Sequence, residues 1–400
     1  MEADGSRLVL GIDVGTSSVK AVLLDVRSGD VVGSQSRDTR AAVQSECGPQ
    51  GKEQDVIQIM RALNDCVTSL PRESLKKVTR IGVSGQMHGV IFWKKNQGCH
   101  WINSGNLRVF EPRDTSYLIT WEDGRCNTDF LASLPQPQSH LSLATGFGCA
   151  TIFWYLRNRP DFLDSYDAAG TIQDYVVAML CGLQRPQMSV HNATSWGYFS
   201  TRSKTWNIDI LRGSGFPVHL LPAVVNAGCV AGKTSYEWCG ICQGTEVGIA
   251  LGDFQCSVYS SATESTDAGL AIPSSASLYT RVIAAGLSQH ETHLTIDPTL
   301  FGERHTPDRL ASVSNITAAE LSLGHATRAL CHGIVQNLHS MLPSSRLQES
   351  GVRRIIGSGS ALSRNDVLRQ EVEKIFPFPV LYGKDTDSAL GAAMVMVKQW

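Results

Sequence analysis

An apolar run from Leu8 to Val14 carries one acidic residue, Asp13, into the small-residue stretch Gly15-Thr16-Ser17-Ser18 and resumes as Val19 to Leu24. Two apolar runs joined by four small residues read as neighbouring strands with a tight turn between them. Ser28-Gly29-Asp30 supplies the next turn before Val31-Val32, so the chain opens as a strand meander. A meander needs a cover, and the sequence provides one. Val56, Ile59, Met60, Leu63, Val67 and Leu70 recur at helical spacing, and a β-rich run begins at Arg80 to Val83. Strands alternating with helices predict α/β layering around a central sheet.

Four hundred residues, 42% of them hydrophobic, fill two medium domains rather than one small module. The Ser, Thr and Ala-rich stretch Ser260 to Ser277 is the most linker-like part of the chain and sets the expected lobes at 1–260 and 261–400. In the second lobe, Thr317 and Glu320 have capping-box spacing, with Ile316 and Leu321 at the staple positions. They predict a helix to about Leu342, with an apolar stripe of Leu323, Ala326, Leu330, Ile334 and Leu338 and a stop at Pro343. A further helix is expected from Ser363, with Asp366 three positions on, ending before Pro377.

The 35 basic and 37 acidic residues are distributed along the chain without a basic run, which argues against a nucleic-acid partner. No stretch has the length and apolarity needed to cross a bilayer, and no cationic-then-apolar leader opens the sequence, so a soluble, cytoplasmic protein is expected. Eleven cysteines, an odd number without paired spacings, fit reduced thiols. Cys239 and Cys242 form one CxxC, but with no second pair or histidine cluster nearby, ordinary thiols are favoured over zinc or redox chemistry. Oligomeric state leaves no mark in the sequence.

Four constellations carry candidate chemistry. In Gly11-Ile12-Asp13-Val14-Gly15-Thr16-Ser17-Ser18-Val19-Lys20, small turn residues would let backbone N–H groups and hydroxyls reach phosphate oxygens, while Asp13 could hold a hydrated Mg²⁺. The same residues also make an ordinary hairpin. In Leu251-Gly252-Asp253-Phe254-Gln255, the carboxylate at a strand end is placed either to take a proton from a hydroxyl or to cap a helix. The stretch Val83-Ser84-Gly85-Gln86-Met87-His88-Gly89, with Trp121-Glu122-Asp123-Gly124-Arg125, offers an aromatic plane and several hydrogen-bonding groups suited to a polyhydroxylated ligand. A satisfied structural histidine is the competing account of His88. Last, Gly357-Ser358-Gly359-Ser360 would let a flat ligand lie against the backbone, or would simply turn a strand into a helix.

Taken in order, these segments resemble the FGGY carbohydrate-kinase family, which includes glycerol, xylulose, ribulose and sedoheptulose kinases, and the resemblance extends over nearly the whole chain. The stretches SGQMHGVIFW, TWEDGRC, LATGFGCATIFWYLRN, GERHTPD, LSLGHATRALCHGIVQNLHSML and GSGSALSRNDVLRQEV look most like the sedoheptulose branch. The GQMHG and DGR elements are shared with the xylulose branch. The resemblance implies an α/β, two-lobed actin-like ATPase (ribonuclease H-like) fold. It also implies ATP and Mg²⁺ as cofactors and a small-molecule ketose, sedoheptulose, phosphorylated on a primary hydroxyl. A xylulose- or ribulose-type kinase, or a non-catalytic sugar-binding relative, is the alternative. Residue by residue, it implies Asp13 as the metal-linked acid, acting through water, and Gly15, Thr16 and Ser17 as the phosphate turn. Asp253 becomes the catalytic base. Gln86, Met87, His88, Trp121, Asp123 and Arg125 become sugar contacts, and Gly357, Ser358, Gly359, Ser360 and Asn365 the adenosine motif.

One departure stands out. The family's second lobe opens with a further Gly, Ser and Thr phosphate turn, whereas here Asp267-Ala268-Gly269-Leu270 passes through Pro273-Ser274-Ser275 almost at once into Tyr279 to Gly286. A shortened second lobe, with impaired phosphoryl transfer, is the expectation.

Overall fold

The computed structural model describes residues 7–261, 267–271, 279–299, 309–382 and 388–397. Strands β1 (Leu8–Val14) and β2 (Ser18–Asp25) pair antiparallel across the small-residue turn, and β3 (Val31–Asp38) continues the meander. On its other side β1 pairs in parallel with the strand Val78–Gly85. That strand in turn pairs in parallel with Glu246–Gly248 and Leu251–Gly252, and Val230–Lys233 completes a seven-stranded mixed sheet.

Every residue of β1 is buried, because both faces of the sheet are covered. Successive strand side chains point to opposite faces. Leu8, Leu10, Ile12 and Val14 therefore join the core beneath helix α1 (Val56–Thr68), while Val9 packs with Ala393 and Met396 of the helix Ser388–Val397. Helix α1 starts where Asp55 accepts a hydrogen bond from the Ile57 N–H.

Two contiguous lobes at 1–260 and 261–400 are corrected by the C-terminal helix. The chain forms one unit from Met1–Cys256 and Ser388–Trp400, and another from Ser257–Asp387. Glycines admit the returning helix. A Cβ on Gly11 would lie 1.9 Å from the Ala389 carbonyl oxygen, one on Gly82 would lie 2.2 Å from that of Ala392, and one on Gly391 would lie 2.0 Å from that of Cys256. Backbone meets backbone at these positions, so no side chain can move aside.

The second unit holds a three-stranded parallel sheet of Asp267–Ala271, Arg354–Ser358 and Val380–Tyr382, with its own core around Ile283, Val335, Ile355, Val367 and Val372. Buried Arg328 clamps its helices, donating to Glu371 Oε1 (2.9 Å), Gln370 Oε1 (2.8 Å) and the Gln289 carbonyl (2.8 Å). The helix expected from Thr317 starts later, as Leu323–Met341 capped by Ser322. Glu320 accepts a hydrogen bond from the His293 N–H (2.8 Å), while Ile316 and Leu321 remain exposed and form no staple. The helix expected from Ser363 is two helices, Ser360–Arg364 and Asp366–Ile375, divided by Asn365, whose side chain caps the second. Pro273-Ser274-Ser275 and GERHTPD lie outside the described residues.

Substituting Gly82→Ala should lower the unfolding free energy by at least about 1–3 kcal/mol, the usual cost of overpacking a filled core. Urea titration should show a lower midpoint at an unchanged slope.

Candidate active site

Three strands end side by side. Asp13 lies opposite Ser84 and Val14 opposite Gly85, while Leu251 and Gly252 lie opposite Ser84 and Gly85 from the other side. The residues that follow these strands, Thr16, Gln86 and Asp253, therefore emerge at one edge of the sheet.

Asp13 is buried, receives the Ser84 hydroxyl at 3.3 Å, and stands opposite Lys20 across the β1–β2 pair. Asp253 opens the helix Asp253–Ser261 and accepts a hydrogen bond from the Phe254 N–H at 2.7 Å. Helix start and reactive acid are thus compatible roles for it. Burial, and next the charge of Asp13, push the Asp253 carboxyl up to about 7. A carboxyl near neutrality can take a proton from a hydroxyl. Two neighbouring carboxylates also fit Mg²⁺, which typically takes one or two carboxylates, waters and substrate phosphates. Among the described residues, no group of three or more His, Cys, Asp or Glu could hold a metal.

The small-residue turn is closed by the Gly15 N–H donating to the Ser18 carbonyl (3.0 Å). From behind, the Thr39 hydroxyl and the Gln54 amide donate to the Thr16 carbonyl at 3.2 Å and 2.7 Å. In the adjoining segment the Gln86 N–H donates to the Val14 carbonyl (3.0 Å), and the Met87 sulfur occupies the space above Gly252, 2.7 Å from where a Cβ would be. His88 has a left-handed backbone, with φ of 72°, a conformation held by its surroundings rather than preferred by the residue. Its Nδ1 meets the Ser195 carbonyl at 2.8 Å, and its ring stacks on Phe147 with centroids 5.0 Å apart. A carbonyl only accepts, so the proton sits on Nδ1 and Nε2 is the acceptor of the neutral ring. Trp121 is 37% exposed and donates its Nε1–H to the Thr16 hydroxyl (3.1 Å).

The expected ligand contacts at Asp123 and Arg125 are corrected by their partners, because both side chains are engaged with each other and with neighbouring protein groups. The Asp123 side chain is 0% exposed and that of Arg125 is 2% exposed. Arg125 makes a two-pronged contact with Asp123 (2.8 and 2.9 Å) and also donates to Glu53 (2.6 Å) and to the Tyr155 hydroxyl (2.8 Å). Burial opposes its charge, but these partners offset that and raise its pKa. Asp123 also accepts the Lys52 N–H (2.8 Å), so the pair fastens the loop behind Trp121.

Residues without a sequence signal support the strand ends. Gln173, fully buried at the start of the helix Ile172–Cys181, donates from Nε2 to the carbonyls of Gly85 (3.1 Å) and Leu251 (3.4 Å). Asn192 reaches the Ala250 carbonyl (3.4 Å). These amides secure the two segments that carry Gln86 and Asp253. Lone polar residues inside apolar helices show no periodicity; in the structure the helix that carries Gln173 starts at a capping box of Thr171 and Asp174.

In the second unit, a Cβ on Gly357 would lie 2.8 Å from the Tyr382 ring, so the flat group against that glycine belongs to the protein itself. Gly359 has φ of 96°, open to glycine and strained for other residues. Ser358 is buried, and Asn365 donates to the Cys331 sulfur (3.5 Å) while capping its helix. The Ser360 side chain is outside the described residues. Cys239 of the CxxC is buried beside Asn64, its thiol pushed well up by burial, and all eleven cysteines are free thiols.

Residues 8–259 match the family model for the N-terminal domain of the FGGY family of carbohydrate kinases. The chain is 53% identical to the sedoheptulokinase of Mus musculus, over 98% of this chain and 98% of that protein. Xylulose kinase of Escherichia coli strain K12 is 28% identical over 56% of this chain and 43% of that protein. A solved xyloylose kinase from Brucella ovis matches with a TM-score of 0.76 at 18% identity, covering 98% of this chain and 91% of that chain. This likeness shows the fold, the α/β actin-like ATPase fold of sugar kinases. The alignment with the murine protein spans 464 positions against 400 residues here, so at least 64 of them have no counterpart in this chain.

Replacing Gln173 with Leu should leave the Gly85 and Leu251 carbonyls buried without this donor. A loss of about 1–3 kcal/mol of unfolding free energy is expected in urea titration.

Proposed function

The chain belongs to the FGGY family of carbohydrate kinases, and from that premise we propose that it transfers the γ-phosphoryl group of ATP to a primary hydroxyl of sedoheptulose, yielding the 7-phosphate. Similarity to murine sedoheptulokinase along the whole chain supports this ketose over xylulose or ribulose. The observation that carries the chemistry is the Asp253 carboxyl, held near neutrality beside Asp13 where three strands end.

Asp253 takes the proton of the substrate hydroxyl. The hydroxyl oxygen forms its bond to the γ-phosphorus as the bond to the bridging oxygen breaks, and ADP leaves. Gly15, Thr16 and Ser17 cradle the phosphates. Asp13 would hold Mg²⁺ through water, and the ion would offset phosphate charge. Gln86, Met87, His88 and Trp121 bind the sugar, with His88 Nε2 accepting from a hydroxyl. The turn Ser358-Gly359-Ser360 would meet the adenosine, with Gly357 packed on Tyr382 and Asn365 capping the helix that follows. Eleven free thiols support a reducing, cytoplasmic compartment, and a seven-carbon ketose phosphate would connect the reaction to pentose phosphate interconversion.

The alignment positions without a counterpart favour a second reading, in which this chain binds the ketose but transfers phosphate poorly. Loss of one preorganised donor lowers a rate by ~10²–10³, and a missing phosphate turn would remove several. A coupled ADP-release assay on folded protein with Mg-ATP and sedoheptulose, xylulose, ribulose or glycerol decides between the two. Sedoheptulose-selective turnover at about 1–100 s⁻¹ supports the kinase, and silence with retained ketose binding supports the second reading.

For an active enzyme, Asp253→Ala should lower kcat by ~10²–10⁴. Protonated Asp253 cannot accept a proton, so kcat/KM should rise with pH through about 7 and be lost below it. A pH–rate profile flat from 5 to 9 would remove Asp253 as the base.

A further inference from the structure

Thr16, Gln54, Gln86 and Trp121 come from separate stretches of the chain, yet the hydrogen bonds between them run in one sense. Trp121 Nε1 donates to the Thr16 hydroxyl (3.1 Å), which donates to Gln86 Oε1 at 3.5 Å. Gln86 Nε2 donates to Gln54 Oε1 (3.0 Å), and Gln54 Nε2 donates to the Thr16 carbonyl (2.7 Å). The circuit closes on Thr16, whose hydroxyl opens it toward Gln86 and whose carbonyl ends it.

A glutamine amide can be turned over with no change of shape, so something has to choose its direction. Here the Thr16 carbonyl chooses. It can only accept, so Gln54 must offer it the amide nitrogen. The Gln54 oxygen then faces Gln86, which must answer with its own nitrogen. Gln86 Oε1 is consequently turned toward Thr16 and Trp121, where its remaining contact is long. Gln54 is 6% exposed and Gln86 2% exposed, so bulk water does not arbitrate. The Gln54 backbone is fixed as well, paired with Ala42 on one side and Leu118 on the other.

We infer that Gln54 is a positioning residue that sets the polarity of the Gln86 amide and couples that sugar contact to the phosphate turn at Thr16. The inference rests on the kinase reading above. Gln54 need not touch a ligand. Its amide decides that Gln86 presents an acceptor to the ketose, and its bond to the Thr16 carbonyl holds the turn that would meet the phosphates. A ketose pulling on Gln86 therefore acts on the turn through a bond path two residues long.

Gln54→Leu takes away both the acceptor that orients Gln86 Nε2 and the donor to the Thr16 carbonyl, so it tests both roles, whereas Gln54→Glu keeps the acceptor and leaves the Gln86 amide as it is. Sedoheptulose affinity, measured by calorimetry on the full chain, should weaken about tenfold, equivalent to one lost buried hydrogen bond. The factor by which a Mg-bound, non-hydrolysable ATP analogue changes sedoheptulose affinity should fall toward one. A merely structural role would move the melting temperature and leave that factor intact. Gln54→Glu, which loses only the donor to the Thr16 carbonyl, should lower that factor with a smaller effect on sedoheptulose affinity, and serves if the leucine variant does not fold. A folded Gln54→Leu with wild-type affinity and wild-type coupling overturns the inference. Wild-type protein without sedoheptulose affinity overturns the underlying sugar-site reading as well, which is a distinguishable result.

Discussion

Parallel pairing of β1 with Val78–Gly85, Asp13 opposite Ser84, fixes the place of every group at the sheet edge. Strand side chains alternate faces, so a slip of one residue would turn Asp13 toward the core beneath α1 and bring Ile12 to the other side. The register is protected on both faces. Leu8, Leu10, Ile12 and Val14 fill the α1 side, while Gly11 and Gly82 are the positions at which the helix Ser388–Val397 touches the sheet. A slip would put a side chain where only glycine fits.

Charge at the site is managed by separating two kinds of buried acid. Asp123 and Glu53 are paired with Arg125, whose cation is shared among them, and they act as fasteners. Asp253 is raised by burial and by Asp13, which suits it to the role of base proposed above. The ion-paired set stabilises a loop, and the raised carboxyl stands where the strands end.

The second unit shows how a reduced sheet is held. Three parallel strands bury little by themselves, and Arg328 ties the helices Leu323–Met341 and Asp366–Ile375 to the segment ending at Gln289. Removing one member of such a buried pair would strand the other in a low-dielectric interior, typically a loss of about 3–5 kcal/mol. Its folding is thus less tolerant of polar substitution than its small sheet suggests.

The meander at Leu8–Asp38, helix α1 and the positions of Asp13 and Asp253 at strand ends were legible in the sequence, because period, turn chemistry and strand length are local properties. Helix starts were less so. Thr317 and Glu320 have the spacing of a cap, but Glu320 is engaged by the distant His293 N–H. Only the tertiary structure decided that Arg125 faces inward, that the last helix returns to the first unit, and that Gln54 and Gln173 brace the site. Each of these depends on contacts with segments distant in the chain. Local pattern carries no record of such contacts, whereas the acid at the end of an apolar strand is written in neighbouring residues.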